Sequence, residues 1–142
     1  KMDGKTKGGN LLDITHSGYE LIYGVYHRRQ IYFAQKDCEI RGRDEIINID
    51  NIGSIPQSAN IRFHVYPGIK LIKTRDGSIL LNHKKGFVWK LSAENQNVSI
   101  QDSVIFSPEG LLPCKQIVIN IKLEKIRAYK TISCNWLFQL QK

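Results

Sequence analysis

From about residue 19 to the end of the chain, apolar and polar side chains alternate with a period of two. In NIRFHVYP, Ile61, Phe63 and Val65 fall on one side, and Arg62, His64 and Tyr66 on the other. That is the signature of a half-buried strand. In CKQIVINIKL, Ile117, Ile119, Ile121 and Leu123 form one set, opposite Gln116, Asn120 and Lys122. In KTISCNWLFQL the apolar set is Ile132, Cys134, Trp136, Phe138 and Leu140; in GFVWKLS it is Phe87, Trp89 and Leu91. β-Branched and aromatic residues fill these runs, as a pleated surface packed on one side requires.

Turn chemistry separates the runs. Asp76-Gly77 lies between two apolar segments and predicts a hairpin. Pro67-Gly68, Lys85-Gly86 and Pro108-Glu109-Gly110 mark further turns. Short strands at this spacing predict an all-β antiparallel β-sandwich, two packed sheets of hairpin-connected strands. Only LEKIRAYK (123–130) suits a helical turn or two. Residues 1–10, KMDGKTKGGN, read as a flexible lead-in, and 11–142 as a single domain. The stretch THSGYELIYGVYHRRQIYFA (15–34) is too long for one ordinary strand. Gly24 predicts a break between Gly24 and His27, with a new strand from Arg28 to Gln35. On that reading His27-Arg28-Arg29 sits at the rim of a sheet.

Composition narrows the function classes. No apolar run approaches the roughly 20 residues of a membrane span, so no membrane partner is expected. The N-terminus carries no secretory-signal pattern. The formal charge of +8 favours an anionic partner. The basic residues form neither a tail nor a stripe, and the aromatic-rich octamer of RNA-binding sheets is missing, so nucleic acid ranks last. Three cysteines, none in a C-x-x-C pair, signal neither a disulfide framework nor a zinc site. Cys134 reads as core. The four histidines have no metal-ligand spacing, and no phosphate-binding glycine loop or nucleophile elbow occurs. The Arg62/His64/Tyr66 face carries chemistry that suits a charged sugar. Arginine forks grip carboxylate or sulfate, and tyrosine offers a flat platform.

The order of these motifs resembles the C-terminal β-sandwich of bacterial heparinase II/III-like proteins. An H-x-G-Y…G…H-x-R order falls on His16, Gly18, Tyr19, Gly24, His27 and Arg29. A G-x-D element falls on Gly42 and Asp44, and R-F-H-x-x-P on Arg62, Phe63, His64 and Pro67. The resemblance spans about residues 14–140. It implies a parent polysaccharide lyase with an upstream α/α toroid. That enzyme would cleave uronic-acid polysaccharides by β-elimination: a base takes the proton α to the carboxylate, an enolate is stabilised, and an acid protonates the leaving oxygen. The resemblance implies that the principal catalytic groups lie mostly on the toroid and on the first β-segment of the sandwich; the toroid groups have no counterpart here, so this domain alone is expected to be inactive.

The implied role is structural support plus one wall of an anionic-polysaccharide cleft, with Tyr19, His27, Arg29, Arg62 and His64 as the substrate-binding candidates. No cofactor is expected. A structural divalent metal in the parent stays open, as does a periplasmic or cytoplasmic location. Where the branch usually carries an acidic residue this chain has Arg43, and Asp44 is expected to pair with Arg41 or Arg43. The alternative function is a non-catalytic module that binds anionic carbohydrate or is purely structural.

Overall fold

The computed structural model describes residues 2–6, 9–49, 54–94 and 96–142. The large sheet starts with β1 (Met2–Thr6), β2 (Gly9–His16), β3 (Val25–Ala34) and β4 (Glu39–Asn48). The chain then crosses to the small sheet at β5 (Ser58–Val65) and returns for β6 (Lys70–Lys73), β7 (Ile79–Asn82) and β8 (Val88–Ala93). β9 (Asn97–Ser107) and β10 (Gly110–Lys122) complete the small sheet, and β11 (Thr131–Gln141) closes the large one. Strand order is β1-β2-β3-β4-β11-β8-β7-β6 in the large sheet and β5-β10-β9 in the small. All described pairings are antiparallel. The fold is the expected all-β sandwich.

The alternating runs bury the faces their sequences assign. Ile117, Ile119 and Ile121 of β10 are 1% exposed or less. They share one core cluster with Ile61 and Val65 of β5, and with Val25, Ile46, Leu91, Cys134 and Trp136 of the large sheet. Phe63 meets Trp136 and Phe138 edge-on, with ring centroids 4.9 and 5.3 Å apart, an aromatic contact that bridges the two sheets. The 74–78 turn closes the β6–β7 hairpin. Thr74 Oγ1 and the Ser78 N–H both donate to Asp76, which these bonds and Lys90 hold well below the usual carboxylate range.

Four expectations are corrected. Residues 2–6 and 9–10, read as lead-in, form β1 and the start of β2, joined in register from Met2↔Asp13 to Thr6↔Gly9. The 15–34 stretch does break at Gly24, but Glu20–Tyr23 is a helical turn, α1, rather than strand. Gly24 closes that turn at φ 67°, a left-handed conformation that glycine adopts without a Cβ penalty, and β3 starts at the next residue. The strand thus starts three residues before the expected Arg28, and His27-Arg28-Arg29 lies within it near its start, with β2 on one side and β4 on the other. Phe87 lies outside β8, half-exposed, and its ring stacks on His83 at 4.4 Å instead of joining Trp89 and Leu91. The LEKIRAYK segment does contain a helical turn, α2 (Ile126–Tyr129), with Ile126 buried.

Truncating the middle of the core face tests this packing. Ile119→Ala removes a fully buried side chain at the centre of the sandwich. It should lower the unfolding free energy by about 2–5 kcal/mol, read as a shifted midpoint in urea denaturation.

Candidate functional site

The site is built on one buried carboxylate. Alternation along β4 turns Gly42, Asp44 and Ile46 to the inner face, and Arg41, Arg43 and Glu45 to the outer one. Asp44 is 1% exposed. A lone carboxylate there would be costly, so its oxygens must be satisfied by neighbouring strands. Arg29 lies opposite it on β3. Arg29 Nε donates to Oδ1 at 2.7 Å, and His27 Nε2 lies 2.6 Å from the same oxygen. From β11, Trp136 Nε1 donates to Oδ2 at 2.7 Å. Trp136 pairs in register with Gly42, where a Cβ would overlap the indole ring, so the glycine makes room for the donor.

Burial alone would raise the Asp44 pKa. The hydrogen bonds from His27, Arg29 and Trp136, with the Arg29 charge, outweigh it and bring the pKa below the usual carboxylate value. Beside it, burial and the Asp44 and Glu94 charges push the Cys134 thiol up to about 11, so it stays an uncharged core residue. The expected pairing of Asp44 with Arg41 or Arg43 is not found. Arg41 pairs with Glu39 and Arg43 with Glu45, each at 2.9 Å on the outer face.

His27 and Arg29 face a cavity of about 300 Å3 between the large sheet and edge strand β5. Tyr19 and Tyr23 of the α1 turn wall one side, with ring centroids 6.3 Å apart. Asn60, Ile61 and Arg62 border the other side. The Arg29 guanidinium carbon also lies 5.9 Å from the centre of the Phe63 ring. Four of the five candidates thus border one cavity: Tyr19, His27, Arg29 and Arg62. Arg62 alternates to the outside of the small sheet, where Nη1 donates to Gln101 at 3.5 Å. His64 lies apart. It is exposed and borders a second recess of about 380 Å3 with Tyr66, Leu81 and Phe138, which Arg62 also touches. Among the described residues, no group of three or more His, Cys, Asp or Glu side chains is placed to hold a metal ion. No helix among them is long and apolar enough to cross a membrane.

The arrangement can present the Arg29 and Arg62 cations to an anion, and it sets beside them an imidazole, His27, oriented by a carboxylate. Both Asp44 oxygens accept hydrogen bonds. Tyr23 joins the site, as does Trp136, which its alternation assigns to the apolar face. Once 20–23 is a helical turn, Tyr23 stands four residues after Tyr19 and shares its face.

The family model for the heparinase II/III-like C-terminal domain matches residues 2–136. The chain belongs to this family. A solved heparinase III superimposes with a TM-score of 0.75 at 16% identity, over 100% of this chain and 21% of that one, which supports the fold. The heparinase II/III-like domain described here thus spans about a fifth of the length of that heparinase III. No curated protein matches the chain.

Replacing Asp44 with Asn removes the charge that Arg29, itself partly exposed to the cavity, pairs with. Asp44→Asn should destabilise the domain by about 1–3 kcal/mol in urea denaturation. Acid titration supplies a second measurement. A carboxyl whose pKa is lowered by folding binds fewer protons when folded than when unfolded. Its stabilisation is complete above the unfolded value of about 3.9 and fades as pH falls through the lower folded value. Unfolding free energy should therefore drop more steeply below about pH 4 in the wild type than in Asp44→Asn.

Proposed function

We propose that this domain is the C-terminal β-sandwich of a polysaccharide lyase acting on uronic-acid-containing anionic polysaccharide. It braces the catalytic part of its parent and supplies one wall of the sugar cleft, without turning over substrate alone. Membership of the heparinase II/III-like family is the observation that carries this reading. The geometry supports it through Arg29 and His27, which a buried carboxylate holds toward an open cavity with tyrosine walls. A guanidinium tethered through Nε keeps its Nη donors for a carboxylate or sulfate. The net charge of +8 favours such a ligand. Arg62 and His64 extend the basic surface past β5 into the neighbouring recess.

The parent would bind the polymer between this wall and an upstream α/α toroid that holds the principal catalytic groups. The competing reading is a module that binds anionic carbohydrate without any catalytic partner, or that is purely structural.

Two measurements separate these. The parent protein, incubated with heparan-type and alginate-type polymers, should release unsaturated uronate products detectable by ultraviolet absorbance; silence on every polymer removes the lyase reading. Heparin-fragment binding to the domain should weaken by roughly tenfold in Arg29→Ala or Arg62→Ala, as loss of a charge-assisted fork implies, and should weaken with added salt. Binding unaffected by both changes would remove these two arginines as a specific anionic wall and point to diffuse charge or none.

A further inference from the structure

The outer face of the large sheet repeats one arrangement three times. Arg28 donates through Nε and Nη2 to Asp13 at 2.9 and 2.5 Å. Arg41 contacts Glu39 at 2.9 Å, and Arg43 contacts Glu45 at 2.9 Å. In each pair the carboxylate lies low and the guanidinium stands out. The carboxylate side chains are 11%, 11% and 13% exposed, and those of the arginines 37%, 61% and 48%. Glu39 is further fixed by Gln139 Nε2 at 3.0 Å. The counter-charges are therefore beneath the surface, and solvent meets the cations. The named bonds occupy the Nε side of each fork, which leaves donors facing outward.

Register places the three on one track. Arg28 is opposite Glu45, and Gln30 is opposite Arg43, so Arg28 lies one diagonal step from Arg43. Arg41 follows two residues along β4. Each step is about 7 Å. Arg41 and Arg43 also border an open recess of about 560 Å3 with Tyr32, Leu11, Asn135 and Leu137. That combination offers planar cations, an aromatic ring and a side-chain amide across a shallow concavity. Glu94, the remaining carboxylate at the recess, lies 3.4 Å from Asn135 Nδ2.

We infer that this outer face is a second saccharide-binding surface, on the side of the large sheet away from the cavity, and that it takes a polymer bearing carboxylate or sulfate on successive units. Three oriented cations in a row suit a repeating polyanion, whereas a single anion would need one fork. The choice of saccharide as the anion's carrier rests on the function proposed above. A surface of this kind holds a strand of polymer on the domain while another stretch occupies the cleft.

The test is a titration of the chain with a size-defined heparin-derived oligosaccharide, followed both by calorimetry and by amide chemical shifts. The Arg41→Gln/Arg43→Gln double variant should bind more weakly by roughly tenfold, as loss of two charge-assisted forks implies. In the wild type, shifts should cover residues 28–43 and 135–137. Arg41→Lys/Arg43→Lys keeps the charge above Glu39 and Glu45, so it guards against misfolding; it should keep the salt dependence and lose part of the affinity. Unchanged binding in both double variants, with shifts confined to the inner cavity, overturns the outer surface and leaves the cleft reading standing. No binding by any variant or the wild type overturns both. A single-stranded DNA of equal charge that binds as tightly at the same residues overturns the assignment to saccharide.

Discussion

The negative charge of Asp44 inside the sandwich constrains everything around it. A carboxylate at 1% exposure needs donors on both oxygens, and here they come from two different strands flanking β4. His27 and Arg29 must face inward from β3, and Trp136 must face inward from β11. A one-residue slip of either strand would turn those donors to the opposite face and leave the charge unpaired. The cluster therefore fixes register across three neighbouring strands, something that apolar packing alone leaves looser. Gly42 belongs to the same solution, since the indole occupies the space where a side chain would sit. Phe63 of the small sheet then packs on both Trp136 and the Arg29 guanidinium, which links the charge cluster to the facing sheet.

Once that register is fixed, alternation distributes the remaining charges. Arg28 and Arg29 are adjacent in sequence and end on opposite faces, one over Asp13 and one against Asp44. Arg41 and Arg43 are forced outward by the same rule. The inner face thus holds a shielded cation next to a cavity, and the outer face holds cations raised above their carboxylates. Exposed ion pairs of this sort add little stability, so their consistent geometry bears on what the face presents to solvent more than on how the fold is held.

The strand faces were legible because their period is local. Ile117, Ile119 and Ile121, or Ile61, Phe63 and Val65, announce their side within a few residues, and the Asp76-Gly77 turn needs no distant partner. The helical turn at 20–23 was not legible: a stretch as short as Glu20–Tyr23 fits a strand as well as a helix, and the left-handed Gly24 that closes it is seen in the structure alone. The first strand was missed because KMDGKTKGGN has no alternation, and what places it is pairing with β2. The partners of Asp44 lie 15, 17 and 92 residues away, beyond any local pattern. The face of Arg41 and Arg43 is legible. Arg41 and Arg43 differ from Asp44 by an odd number of positions in a continuous strand, so they were bound to face the other way.

The same hydrogen bonds define what chemistry the cluster can perform. General-base catalysis needs a free lone pair aimed at a proton and a pKa near the working pH. Asp44 has its oxygens engaged by three donors, and those bonds press its pKa down, away from that range. A guanidinium carries donors and no acceptor, so Arg29 cannot serve as a base. A carboxylate saturated in this way works as an anchor. It fixes the orientation of a guanidinium and an imidazole whose outward edges meet the cavity. The buried carboxylate thus decides which edges of Arg29 and His27 a ligand in that cavity would meet.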